Sequence, residues 1–276
     1  MEKERFKKIS GWASLIRNTT AIVASLISFV TLIILIRQNE RTYRPDLVFA
    51  PDQTLFSVAY AESPSNCGDI EFRVEHDSVI HELSLTASNL GLGAAKDLHL
   101  LWQYDASRLV DTVRIGGVQI PTGAHYVADA NAFLFNNCYR KEDNEAFVEY
   151  CLPVTSEKTP VHVALPYSYL EMWCNVLIRI GHSLNLSKSQ YSNLLLQFAG
   201  TCQYLTLKTD YHDINNQPHT KSYAVRLMPR FIDLQKKEMV MTLALQELGR
   251  AKLPRRKYMI SVLNPDGILW EVPVEL

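Results

Sequence analysis

Two rhythms divide this chain. From Thr19 to Ile36, the stretch TTAIVASLISFVTLIILI carries no charged residue. From Asp46 onward the pattern breaks into short segments, several alternating apolar and polar positions: DLVFA, DIEFRVEH, HELSLTASN, KDLHLLWQYD, VHVAL, YLTLKTDYHD and KSYAVRLM. Turn-prone Pro, Gly, Asn and Asp separate them, so the alternation predicts strands, and several strands in succession predict a β-sandwich. There is no internal repeat and no low-complexity segment. The expected fold is therefore mainly β, a sandwich with inserts and one or two short helices, preceded by a single transmembrane helix.

The apolar stretch holds eighteen residues. As a helix it would measure about 27 Å, close to the ~30 Å hydrocarbon core of a bilayer. It exceeds the usual h-region of a cleavable signal and runs into ILIRQNER rather than a small-residue cleavage site, which favours an uncleaved signal anchor. Before it lie Lys3, Arg5, Lys7, Lys8 and Arg17, and after it Arg37, Arg41 and Arg44, a balance that favours the N-terminus inside and the main domain outside. A cytoplasmic main domain is the alternative. Phe6, Ile9, Trp12, Ala13 and Ile16 recur at helical spacing, so residues 1–18 form a basic amphipathic segment. Trp12, Arg17 and Arg37 are interfacial anchors flanking the span. Within the span, Thr20, Ala24 and Ser28 lie four apart, as do Ala21 and Ser25, making a small-residue face through which helices could pair. Hydroxyls in such a helix can also bond their own preceding carbonyls.

Residues 37–46 form a linker ending near Pro45, and residues 47–276 form the β domain, with an insert over 105–160 and a C-terminal extension over 229–276. The insert is expected to add strands at one edge. SYLEMWCNVLIRI, 168–180, is interrupted by Glu171 and Arg179 and reads as a buried helix rather than a second span. SKSQYSNLLLQFAG fits a strand or a short helix. FIDLQKKEMVMTLALQELGRA keeps mainly helical spacing up to Gly249, and the last nineteen residues read as a hairpin around Asn264-Pro265-Asp266-Gly267.

HELSLTASNLGLGAAKDLHLLWQYD, with Asn89, Gly91, Gly93 and Ala94 in its turn, resembles the second and third strands of immunoglobulin-like domains of bacterial membrane-anchored proteins. LTLKTDYHDINNQPHTKSYAVRL, with Tyr211, Asp213 and Ile214 before the turn, resembles the last hairpin of such a domain. The resemblance covers about a quarter of the chain. It implies architecture and supplies no active site.

Charge and chemistry change this picture little. The overall charge of −1 divides into +3 over residues 1–18 and −4 over the rest, which gives no broad basic surface for nucleic acid. KLPRRK, 252–257, reads as a solvated turn, with a phosphate patch as its alternative. The five cysteines show no CxxC; Cys138 and Cys151 could cross-link in an oxidising compartment or remain thiols. GLGAAK, 91–96, lacks the third glycine of a dinucleotide fingerprint and the ending of a phosphate loop, and no GxSxG occurs. Asp210, His212, Asp213 and His219 crowd one hairpin and could bind a metal only if they converged, whereas polar hairpin residues are the plainer reading; His76 and His81 have less support still. PYSY, 166–169, with Met172 and Trp173, suits a core better than an interface. No catalytic, cofactor or metal residue is expected. The expected partners are a lipid bilayer, a protein, and a second copy through the span. Two functions fit: a single-pass, inner-membrane binding or sensing module, or a membrane-active effector of a bacterial anti-phage system, for example a retron-type one.

Overall fold

The computed structural model describes residues 19–20, 22–38, 43–52, 54–62, 68–74, 78–80, 82–104, 112–115, 117–121, 123–127, 132–135, 138–141, 144–154, 160–201, 205–248 and 257–275. Thr19, Thr20 and helix α1, residues 22–38, are helical, and every described side chain in them is exposed. Among the described residues, no helix is long and apolar enough to cross a membrane. At 1.5 Å per residue α1 spans about 25 Å. Trp12, Arg17 and Ala21, the amphipathic segment 1–18, His76 and His81 lie outside the described residues.

Strands dominate from residue 47. The first six are β1 (Leu47–Pro51), β2 (Leu55–Glu62), β3 (Gly68–Val74), β4 (Ser78–Ile80), β5 (Ser84–Asn89) and β6 (Ala95–Gln103). The insert then supplies β7 (Thr112–Ile115), β8 (Val118–Pro121), β9 (Ala124–Val127), β10 (Ala132–Phe135), β11 (Cys138–Lys141) and β12 (Glu145–Cys151). After β13 (Val161–Ala164) come α2 (Tyr167–Cys174), a π-helical stretch (Asn175–Ile180), the short α3 (Gly181–Ser183) and α4 (Lys188–Thr201). The chain closes with β14 (Leu205–His212), β15 (Pro218–Asp233), β16 (Glu238–Glu247), β17 (Lys257–Leu263) and β18 (Leu269–Glu275).

A three-stranded sheet has the order β1-β5-β13, and a ten-stranded sheet contains the path β12-β6-β14-β15-β16-β2-β3-β4 with β17 and β18 branching from β15. The segments 84–89 and 95–103 therefore belong to different sheets, joined by the turn at 90–94. Leu85, Ala87, Leu98, Leu100 and Trp102 from these two strands share one buried core with Leu205, Leu207 and Tyr223. The Phe49 ring meets Tyr223 edge-on at 5.0 Å, tying the small sheet to the large one. β12 pairs only with β6 among the described strands, so the insert does add an edge strand.

The tail corrects one expectation. Residues 238–247 form a strand paired along β15, not a helix. Met239, Met241 and Leu243 are buried at alternate positions while Val240, Thr242 and Ala244 are half-buried, so a strand with both faces partly covered produced a nearly continuous apolar run. The preceding LQKK is the hairpin turn: Asp233 Oδ1 accepts the N–H groups of Gln235 and Lys236, and Lys237 adopts φ 57°. Residues Lys188–Thr201 resolve as a helix. Its start is a capping box, in which Ser187 Oγ accepts the Gln190 N–H and Gln190 Oε1 accepts the Ser187 N–H.

α2 and the π-helical stretch are buried while α4 buries one face, and Tyr169, Met172 and Trp173 belong to the core. Tyr167 ties α2 to β3 through a bond from the Ile70 N–H, and Trp173 meets Phe198 of α4 edge-on at 4.7 Å. Glu171 is buried beside Cys174, and that burial, with the nearby carboxyl, pushes the Cys174 thiol well up. Such a thiol is a packing group rather than a nucleophile. Cys151 is buried; the Cys138 side chain, and with it the choice between a 138–151 cross-link and free thiols, lies outside the described residues.

Candidate functional site

The most developed polar construction lies where the chain leaves α1 and enters the β domain. Asn89, at the end of β5, is 1% exposed. Its Oδ1 accepts the N–H groups of Asp46 and Gly91 at 3.0 Å each. Its Nδ2 donates to the carbonyls of Gly93 at 2.8 Å and Cys151 at 3.0 Å. One amide thus fastens the incoming linker, the turn after β5 and the end of β12 together. All four bonding positions of an Asn side chain are in use, which makes its burial affordable.

Close packing reinforces these bonds. A Cβ at Gly91 would overlap the Arg44 carbonyl and the Asp46 nitrogen, and one at Gly93 would overlap the Tyr43 carbonyl. The GLGA turn is therefore a bare backbone seat for residues 43–46. Asp46 is held a second time by Lys221 of β15, whose Nζ lies 2.6 Å from Asp46 Oδ1 and 2.7 Å from the Leu47 carbonyl. The Tyr223 hydroxyl donates to that same carbonyl at 2.8 Å.

The hairpin between β14 and β15 completes the junction. Asp213 is buried, and its Oδ1 accepts the N–H groups of Asn215 and Gln217. Its Oδ2 lies 3.3 Å from His219 Nε2, and Arg44 reaches His219 Nδ1 at 3.1 Å. With Arg44 donating to Nδ1, Nε2 is left to donate to Asp213. Burial works to raise the Asp213 pKa, but the bonds from Gln217, His219 and Asn215 outweigh it and hold the carboxyl below the usual range. Tyr211 lies against the same imidazole at 5.3 Å between ring centres, and burial raises its phenol.

The four polar residues singled out on this hairpin do not converge. Asp213 and His219 bind each other, Asp210 binds Lys208 and Thr220, and His212 lies 3.8 Å from Asp97. The bonds from Lys208 and Thr220 lower the Asp210 pKa. No cluster able to hold a metal occurs among the described residues.

A second polar knot, which the sequence patterns did not reveal, lies at the far end of the small sheet. Asp52, just past β1, accepts the hydroxyls of Ser84 and Thr86 and lies 3.0 Å from His162 Nδ1. Burial would raise Asp52, yet Ser84, Thr86 and His162 together lower it. Serine, histidine and aspartate meet here in the wrong order for nucleophilic catalysis. The Ser84 hydroxyl is given to the carboxylate, whereas activation requires it to face the imidazole. The knot pins β1, β5 and β13 together on an exposed face.

Of the assembly face, Thr20, Ala24, Ser25 and Ser28 are helical and exposed, as is the anchor Arg37. Thr31, which the pattern of small residues passed over, donates its hydroxyl to the Ile27 carbonyl at 2.8 Å. No family model matches this chain, and no curated protein or solved structure matches it either.

Proposed function

We propose that this chain is a single-pass membrane-anchored module that binds or senses a partner through an immunoglobulin-like β-sandwich held close to the bilayer. One observation carries the anchoring. The large apolar side chains from Ile22 to Ile36 are between 38% and 62% exposed on α1, and none of them joins the buried core. So much apolar surface on one helix is unfavourable in water and favourable in lipid. With the undescribed Ala21 bridging Thr20 and Ile22, the uncharged run reaches the eighteen residues a crossing helix needs.

The strand order supports the sandwich reading. An immunoglobulin-like domain places its first, second, fourth and fifth strands in one sheet and its third, sixth and seventh in the other, with an added strand beside the third in the variable type. Here β1, β5 and β13 take the first, second and fifth places, with no described strand in the fourth, and β6, β14 and β15, with β12 beside β6, form the second set. Strands β2 to β4 and the helices are then insertions between sandwich strands. Edge strand β12 exposes Phe147 (57%) and Tyr150 (52%), aromatic groups suited to anchoring a protein partner. The Lys/Arg balance favours the sandwich outside the inner membrane.

Fractionation tests the anchor. The full chain is expected to stay in the membrane pellet through alkaline carbonate washing, and residues 43–276 alone to be released as a folded, cooperatively melting domain. A full chain extracted by carbonate would sink the proposal.

A further inference from the structure

Six exposed apolar side chains surround the junction. Tyr43 (47%) precedes the seat residues, and Leu90 (62%) and Leu92 (53%) flank Gly91 on the turn that Asn89 holds. Leu152 (39%) and Val154 (49%) follow Cys151, whose carbonyl accepts from Asn89, and the Val154 N–H donates to the Asn89 carbonyl at 3.0 Å. Ile214 (51%) caps the hairpin turn beside Asp213, and Asn216 of that turn accepts Lys96 Nζ at 2.6 Å. These side chains come from the linker and three separate loops, and the hydrogen bonds of Asn89, Arg44 and Lys96 bring all four to one end of the β domain.

We infer that this apolar rim inserts into the headgroup layer of the same bilayer that holds α1, so that the sandwich rests on the membrane by its loops rather than swinging from a tether. The inference builds on the anchoring proposed above. Chain continuity names the bilayer as the occupant. Only residues 39–42 separate Gln38, the last residue of α1, from Tyr43, a reach of at most roughly 17 Å. A headgroup layer is about 5–8 Å deep on each side of the hydrocarbon, so Tyr43 lies within it or at most roughly 12 Å beyond it. Residues 43–46 are seated on the Gly91–Gly93 turn, so only residues 39–42 set how far the rim stands from the end of α1.

The chemistry of the rim agrees. Tyr at the linker suits the bilayer interface, and Leu, Ile and Val on separate loop tips can each enter lipid without forming a groove for a peptide. Of the neighbouring carboxylates, Asp213 is buried and bonded by His219 and two backbone N–H groups, while the exposed Asp46 pairs with Lys221 and the exposed Asp97 lies 3.8 Å from His212.

The test is a depth measurement on the full chain, carrying nitroxides on Cys introduced singly at Leu92, Ile214, Met259 or Val30 in a Cys67→Ser, Cys138→Ser, Cys202→Ser background. The chain is reconstituted in phosphatidylcholine–phosphatidylglycerol vesicles and probed by oxygen and a water-soluble nickel chelate. Labels at 92 and 214 are expected to lose nickel access while keeping oxygen access, and a label at 259, on β17, to keep both. If Val30 reports hydrocarbon while 92 and 214 report water, the rim inference falls and the anchor stands. If 92 and 214 are shielded from both probes, the rim is covered by protein and the inference also falls. A water-exposed Val30 overturns the anchor itself.

Discussion

A single buried amide carries more of this architecture than any charged group. Asn89 satisfies four backbone groups from three segments that are distant in sequence. Asn89→Ala would remove all four bonds and leave a void, and because an unsatisfied buried group costs about 1–3 kcal/mol, the expected loss is about 3 kcal/mol, measured by chemical denaturation of the full chain in detergent. Asn89→Asp keeps both acceptors and loses both donors, so it should fall between Ala and wild type. Asp213 offers a pH test at the same junction. Its folded pKa is depressed, so its contribution is present above the unfolded value near 3.9 and is lost as pH falls through the lower folded value. Asp213→Asn should therefore shallow the loss of stability below about pH 4; an acid-unfolding curve identical to wild type would refute that assignment. Neither role was legible beforehand. Asn89 and Asp213 could be placed in turns, but two of the backbone groups Asn89 holds, at Asp46 and Cys151, come from far along the chain, and the contact of Arg44 with the His219 that pairs with Asp213 does too.

At the scale of elements, alternation and turn chemistry carried most of the information. The hairpins at 213–217 and 264–267 follow from Asx residues that bond their own turns, as Asp213 and Asn264 do. Asp233 does the same in LQKK, but the apolar run after it fits two periods at once, and there the helical spacing misled. Lys237 provides the discriminating experiment. At φ 57° a lysine is strained, so Lys237→Gly should leave stability unchanged or raise it by about 0.5–1 kcal/mol. The same change inside a helix would lower it by about 1 kcal/mol, so thermal melting separates the two structures. The helix at 188–201 was legible in principle, since Ser187 and Gln190 are spaced as a capping box, a signal stronger than the ambiguous apolar spacing after it. The GLGA seat yields a further prediction. Gly93→Ala forces a methyl group into the Tyr43 carbonyl and should cost about 2 kcal/mol, with new protease cleavage within residues 39–46 as its signature.

The whole molecule joins an apolar helix, whose described side chains are all exposed, to a β body that seats residues 43–46, with residues 39–42 between the two. Pairing through that helix would bring two such bodies together at the membrane. Ala24, Ser25 and Ser28 are exposed on α1, and their small side chains allow close backbone approach without large groups intervening. The bulkier residues from Leu32 to Ile36 offer no such approach and suit lipid contact. Ser25→Leu with Ser28→Leu should therefore weaken self-association of the full chain in detergent. Contacts of this kind contribute about 1–2 kcal/mol, so the dissociation constant should rise roughly tenfold. Leu32→Ala with Leu35→Ala, which alters the bulky half, should leave it unchanged. Sedimentation equilibrium distinguishes the cases: equal association in both double variants would mean that the small residues thin the helix without joining it to another.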